Sequence, residues 1–355
     1  MTVKYKYDYS ESVEYSAFTN DGVRVSGPVC LYLQEEADEL TPRENMLAVY
    51  RHQMPEYVPN FFTDLDIWDS FGERYFGEGS GDDWFGVNWT YVPEMHSQTE
   101  TVGQDQLESL ENWQEHIKFP NLDSYDWESI AREATKNWDR EGRASFCMLL
   151  NGPFERMMSL MGFENAIFAF LDTPDEVHEF FEAVTAHKCR YMEILKKYFD
   201  FDIIAFHDDW GNNMNMFFSP DMWEEFLKPC IQKVIDKTHE LGMFFEMHSC
   251  GYIKPVVKHL AAMGADAIDP LQYCNDVPEL KALYGKQMVF NGGFNSQGIL
   301  ERPGASEEEI RAEVRRCIDA LAPGGNFSTM CPIIDTKVAG IVADEISSYG
   351  RDFYK

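Results

Sequence analysis

The feature that most constrains this chain is a repeated punctuation in which a hydroxyl residue and a proline open a helix and short apolar runs separate one helix from the next. Thr41-Pro42-Arg43-Glu44 places Thr at the N-cap, Pro at the first helical position and Glu three residues after the cap. Thr173-Pro174-Asp175-Glu176 repeats the signature, Ser306 with Glu309 forms another capping box, and Ser219-Pro220-Asp221 shares the cap and the proline. The apolar runs fall at 58–62, 145–150, 203–206, 244–248, 267–269, 288–290 and 327–330. Gly242, Gly264 and Gly285 stand where preceding helices end. Alternation of this kind predicts parallel βαβ units.

Seven strands are one short of a (β/α)8 barrel, so the expected architecture is an α/β fold of the TIM-barrel type, distorted, with its eighth strand in residues 84–92 or near Cys30. Residues 1–40 have no clear period and read as an N-terminal extension. Residues 64–127 are rich in Trp, Gly and acids and read as an insertion near the barrel mouth. The 355 residues suit one large α/β domain or two ordinary ones. With no repeat, linker or low-complexity tract, a single barrel domain over 41–355 is expected.

A net charge of −31 argues against nucleic acid and anionic membranes as partners, since both demand a positive surface. The first residues lack a secretory apolar core and no run reaches the roughly 18 apolar residues of a membrane span. A cytoplasmic protein is therefore expected, and its eight widely spaced cysteines should be reduced thiols.

In such a barrel, functional groups lie at the C-terminal ends of strands. Asn151, then His207, Asp208 and Asp209, then His248 and Cys250, then Asp269 and Gln272, then Asn291, and finally Cys331 all fall there. His248-Ser249-Cys250 is the sharpest of these motifs. Residues two apart share one face of a strand, and Glu246 joins that face. An imidazole and a thiolate on one face are half of a zinc site that a later thiol, Cys331 or Cys274, would complete. Glu246 is either a fourth ligand or a carboxylate that orients His248. Asp208 and Asp209 face opposite ways, so one of them is expected to enter the cavity, as proton donor or orienting group. Trp68, Trp84, Trp89 and Trp210 either line an apolar pocket or, as is commoner, fill the core. Asn291-Gly292-Gly293 reads as a strand-end turn, not a dinucleotide loop.

In order along the chain, these segments resemble the uroporphyrinogen decarboxylase-like superfamily over about residues 41–335. The carriers are Thr41-Pro42-Arg43-Glu44-Asn45-Met46-Leu47-Ala48 with Val58-Pro59, Asn151-Gly152-Pro153-Phe154-Glu155, Asp208-Asp209-Trp210-Gly211, Ser219-Pro220-Asp221-Met222-Trp223, His248-Ser249-Cys250-Gly251, Asp269-Pro270-Leu271-Gln272, Asn291-Gly292-Gly293 and Ala322-Pro323-Gly324-Gly325. The resemblance implies a distorted (β/α)8 barrel and two chemistries. Metal-free decarboxylases of the superfamily bind a polycarboxylate with two arginines and use a late histidine. Here Tyr50-Arg51-His52-Gln53-Met54-Pro55-Glu56-Tyr57 keeps one arginine, and Cys331 stands where that histidine would be.

The other branch is similar to cobalamin-dependent methyltransferases, including methylcobamide:coenzyme M methyltransferases and O-demethylase methyltransferases. That resemblance implies zinc on His248, Cys250 and Cys331, and cobalamin carried by a partner corrinoid protein. The segment 324–330 before Cys331 and the segment after it depart from the branch's pattern. The expected activity is zinc-dependent methyl transfer between a small methylated compound, such as a methoxylated aromatic, or a thiol, and the corrinoid protein. Catalytic roles are expected for Asp208, Asp209 and Glu246, and a substrate pocket from Asn151, His207, Trp210, Gln272 and Asn291. The alternatives are a decarboxylase with a basic cleft around Arg43, Arg51 and Arg74, and a metal- or corrinoid-protein-binding scaffold without turnover.

Overall fold

The computed structural model describes residues 40–77, 79–92, 97–331, 333 and 335–355. The expected N-terminal extension, with Cys30, lies outside the described residues except for Leu40. Ten strands are described: β1 (Leu65–Asp69), β2 (Ser80–Asp82), β3 (Asn88–Val92), β4 (Ser97–Glu100), β5 (Ala144–Leu149), β6 (Ile203–His207), β7 (Phe244–His248), β8 (Ala267–Asp269), β9 (Val289–Asn291) and β10 (Phe327–Ser328). Seven form one parallel sheet in the order β1-β5-β6-β7-β8-β9-β10, and β2, β3 and β4 form a small antiparallel sheet. Helices separate the parallel strands, as the punctuation predicts, and the sheet curls into a distorted TIM-type barrel.

Two expectations about strands are corrected. The run 58–62 is not a strand. Asn60 accepts a hydrogen bond from the Phe62 N–H and caps a helical turn, Phe61–Asp64, and β1 follows it. Residues 84–92 do not hold an eighth barrel strand, because β3 pairs antiparallel with β2 and β4. Among the described residues no ladder joins β10 to β1. Thr329 bridges that seam, donating to the Pro59 carbonyl (2.9 Å) and accepting from the Phe61 N–H (3.3 Å).

Alternation along each strand splits the apolar residues into two buried layers. Leu65, Phe146, Met148, Ile203, Ala205, Ala267 and Val289 share one cluster inside the barrel with the helix Pro42–Tyr50. Cys147, Leu149, Ile204, Phe206, Phe245, Met247, Ile268 and Phe290 face the surrounding helices. Burying one such Phe contributes roughly 2–3 kcal/mol. The helix Pro42–Tyr50 has the predicted capping box on Thr41 and Glu44. It is tied to the start of β6 by Arg43, which bonds both carboxylate oxygens of Asp202. The interior below the site is thus filled from the strands' N-terminal end.

The insertion is pinned to the barrel by buried charges. Glu73 pairs with Arg156 (3.0 Å) and Lys188 (2.6 Å), Asp83 pairs with Arg156 (2.6 Å), and all four of these side chains are fully buried. Lys188 also donates to the Leu150 carbonyl at 2.6 Å. Two cations and two carboxylates balance, which is what lets such groups be buried. Trp68, Trp89 and Trp210 are at most 3% exposed and Trp84 packs against the same apolar cluster, beside Phe71, Tyr125, Trp127 and Tyr191, so these tryptophans are core.

Candidate functional site

The register of the central strands assembles the site. His207 on β6 is the direct partner of His248 on β7, and His248 is the direct partner of Asp269 on β8. One row of the sheet therefore carries imidazole, imidazole and carboxylate at its C-terminal edge. The two rings stack with centroids 4.3 Å apart and planes 12° from parallel. Each ring has its own carboxylate. His248 Nδ1 donates to Asp269 (2.9 Å), and His207 Nδ1 donates to Glu155 (2.6 Å). A carboxylate on Nδ1 fixes the ring and leaves the other nitrogen for a ligand.

The rings differ in charge. Burial opposes protonation of His248, but Asp269 and Cys250 outweigh it and hold its pKa well above the usual value. Burial, with the charge of His248, pushes His207 down to about 3. Burial and then Asp209 push the Cys250 thiol up.

Two sets of ligand atoms meet at His248. Cys250 Sγ is 3.7 Å from His248 Nε2. Zinc with Zn–N near 2.0 Å and Zn–S near 2.3 Å in a tetrahedron separates N from S by about 3.6 Å, so this pair fits two ligands of one zinc ion. On the other side, His207, Asp209 and His248 offer ligand atoms within 4.8 Å of one another, and no other trio of His, Cys, Asp or Glu does so among the described residues. Cys331 is not part of either grouping. It is buried 3.8 Å from the Ser296 hydroxyl, and burial pushes its thiol up to about 12. Cys274 lies beside the Asn275 side chain instead (3.6 Å).

The remaining expected residues take separate places. Asp209 accepts the Cys250 N–H at 2.7 Å and borders the site. Asp208 turns into the protein. It accepts the Glu155 N–H (2.8 Å) and Phe154 N–H (3.4 Å) at the start of the helix Pro153–Met161, and the Trp210 indole N–H (2.9 Å). Trp210 packs on Trp223, with centroids 5.4 Å apart, and is fully buried. Asn151 accepts from Arg74 (2.7 Å) and donates to the Glu73 carbonyl (2.5 Å), so it holds the insertion over the mouth. Gln272 accepts the Gly251 N–H (2.5 Å) and fixes the turn after Cys250.

Glu246 lies one step below His248 on the same face of β7. Tyr50 donates to one of its oxygens and Asn291 to the other (2.6 Å), and Asn291 accepts from the Ser328 hydroxyl (2.6 Å). Burial, then Asp269, raises its pKa well above the usual range. Three more residues complete the mouth, of which sequence reasoning had singled out only Arg74, and that for the decarboxylase alternative. They are Glu155; Arg74, 3.7 Å from Glu155 and 4.7 Å above the Trp89 ring; and Asp69 at the end of β1, whose pKa burial raises while Arg74 and His248 oppose the rise. Glu155 stood in a quoted motif, and Asp69 follows an apolar-looking Trp68; their shared location was the missing signal.

The comparisons agree with this architecture. A methyltransferase from Methanosarcina mazei is similar in structure, with a TM-score of 0.65 over 88% of this chain and 99% of that chain, at 13% sequence identity. At that identity the likeness shows the fold. A D-psicose 3-epimerase aligns with a TM-score of 0.38 over 64% of this chain and 84% of that one, at 12% identity. No curated protein matches the sequence. The family model described as uroporphyrinogen decarboxylase (URO-D) matches residues 105–330, which span the strands from β5 to β10 and every strand-end group of the row just described. This chain belongs to the uroporphyrinogen decarboxylase (URO-D) family.

Proposed function

We propose that this chain is a methyltransferase that moves a methyl group between a corrinoid protein and either a small methylated compound, such as a methoxylated aromatic, or a thiol. The observation that carries the reading is the His248–Cys250 pair, 3.7 Å apart, with His248 oriented by Asp269. In this reading zinc would be held by His248 and Cys250, with Cys331, which lies outside that pair here, as the third ligand that the resemblance implies. When bound, zinc supplies a Lewis acid that makes a thiol more acidic or a methyl ether oxygen a better leaving group. Asp269 keeps the His248 ring in place, Gln272 and Asp209 hold the Cys250 backbone, and Arg74 with Trp89 borders the space above. The cobalamin stays with the partner, which carries the difficult chemistry.

The decarboxylase alternative is weakened by where the arginines sit. Arg43 is bonded to Asp202 at the start of β6, about 16 Å of strand away from His207. Arg74 is the arginine at the mouth, and Glu155 and Asn151 already engage it. Arg43 and Arg74 in separate places do not make one polyanion cleft.

The test is anaerobic purification with elemental analysis, followed by methyl transfer to cob(I)alamin read by its visible spectrum. About one zinc per chain, with activity lost together with thiolate ligation in Cys250→Ser, is the expected result. Methyl transfer by metal-free protein would sink the reading.

A further inference from the structure

His207 has no task in the thiolate site and Asp209 only holds the Cys250 backbone there, yet the fold prepares both as carefully as it prepares His248. His207 sits in register with His248, stacks on it, and has Nδ1 bound by Glu155 just as His248 has Nδ1 bound by Asp269. A carboxylate behind each of two imidazoles is the arrangement that orients metal-binding histidines and raises their donor strength. Asp209 supplies the third group, and the three ligand atoms lie within 4.8 Å of one another. Strand register, the paired carboxylates and the close approach of the three ligand atoms are separate observations, and all of them bear on one place.

We propose that His207, Asp209 and His248 form a second position for a divalent cation, adjacent to the thiolate position and sharing His248 with it. Two imidazoles and one carboxylate make a harder donor set than a thiolate pair. Such a set with open places suits Mn²⁺, Fe²⁺ or Co²⁺ and leaves room for an oxygen ligand. The ligand class at the open places is a small oxygen donor, namely a carboxylate, a phenolate or an ether oxygen. Because His248 offers a single nitrogen toward both groupings, one cation at a time can use it. That competition rests on the methyltransferase reading with its thiolate zinc; the cation position itself does not need it.

Mn²⁺ is the probe, since it favours carboxylate and imidazole and avoids thiolate. Binding to the full-length protein is followed by the electron paramagnetic resonance signal of free Mn²⁺. The chain's net charge of −31 attracts cations loosely everywhere, so the result that counts is saturable binding that depends on named residues. Wild type is expected to bind about one Mn²⁺ per chain, with Asp209→Asn and His207→Gln each weakening binding at least ~10-fold. Cys250→Ser should bind as wild type does, and so should Glu308→Gln, on the exposed first turn of the helix Glu307–Leu321. Asp209→Asn keeps an acceptor for the Cys250 N–H, so a loss there is not a folding defect, and circular dichroism confirms the fold of each variant. Equal binding by wild type, Asp209→Asn and His207→Gln overturns the proposal, as does loss of binding in Cys250→Ser. The thiolate absorption of Co²⁺-loaded protein is read in parallel. Its absence counts against the thiolate zinc alone, and a free Mn²⁺ signal that the protein does not diminish counts against this position alone.

Discussion

His207 and His248 face each other across neighbouring strands, ring on ring at 4.3 Å, and each is gripped from behind by a different carboxylate. Like charges at that distance would repel, and the site resolves this by keeping His207 neutral while Asp269 favours the charged form of His248. The Asp269 contact is therefore the one whose loss should be felt most.

Asp269→Asn keeps the size of the side chain and an acceptor for the His248 N–H but removes the charge. Metal affinity should fall roughly 10–100-fold with little change in fold. Competition against a chromophoric chelator measures it, and an unchanged affinity would show that Asp269 does not govern the ligand.

Glu73→Gln should destabilise the protein by about 3–5 kcal/mol, because Arg156 and Lys188 then share the buried space with Asp83 alone. Burial opposes ionisation of Glu73, but Lys188, His187 and Arg156 outweigh it and hold its pKa well below the usual 4.5. A depressed folded-state pKa means that this stability is present above pH 4.5 and is lost as pH falls through the folded value. Urea midpoints at neutral and acid pH check both points; a Glu73→Gln curve that keeps the wild-type acid slope would contradict the assignment.

Asp64 has the opposite sign. Burial raises its pKa from 3.8 to about 6, against hydrogen bonds from the Asn60 N–H and the Thr63 hydroxyl. Its contribution is fullest below pH 3.8 and is lost as pH rises through 6, a change of about 3 kcal/mol. Asp64→Asn should be the more stable protein at pH 7, and the difference from wild type should shrink toward pH 4. Stability measured across that range in both proteins decides it, and a constant difference would rule the explanation out.

Gly251→Ala should cost about 1–3 kcal/mol from backbone conformation alone, since Gly251 has φ +81° and an added Cβ would lie 2.3 Å from the Gly211 carbonyl oxygen. The turn that presents Cys250 must shift to relieve that contact. Thiolate absorption of Co²⁺-loaded protein should weaken along with the thermal midpoint; a normal spectrum with normal stability would mean that the turn tolerates the side chain.

Much of the fold was legible because caps, prolines and apolar runs are local signals. Thr41 with Glu44 and Ser306 with Glu309 both form the capping boxes that their spacing implies. The first strand was not legible. Leu65–Asp69 carries Asp66 and Asp69, and the apolar run before it ends in an Asn60-capped turn, so hydropathy pointed a few residues too early. In the site, alternation separates Asp208 from Asp209 but does not say which one turns toward the helix Pro153–Met161, because that depends on where that helix begins. His248 and Cys250 lie two residues apart and could be paired by eye. Glu155, Arg74 and Asp69 come from a helix, a loop and a strand elsewhere in the chain, and only the curled sheet brings them to His207 and His248.

The chain of contacts from Ser328 through Asn291 and Glu246 to Tyr50 has a bearing on traffic. It plugs the barrel directly beneath the two histidines, with the helix Pro42–Tyr50 behind it. The site is a cul-de-sac, and whatever arrives must leave by the door it came through. Two reactants that meet there must enter in order, the inner one seated before the outer one fills the opening.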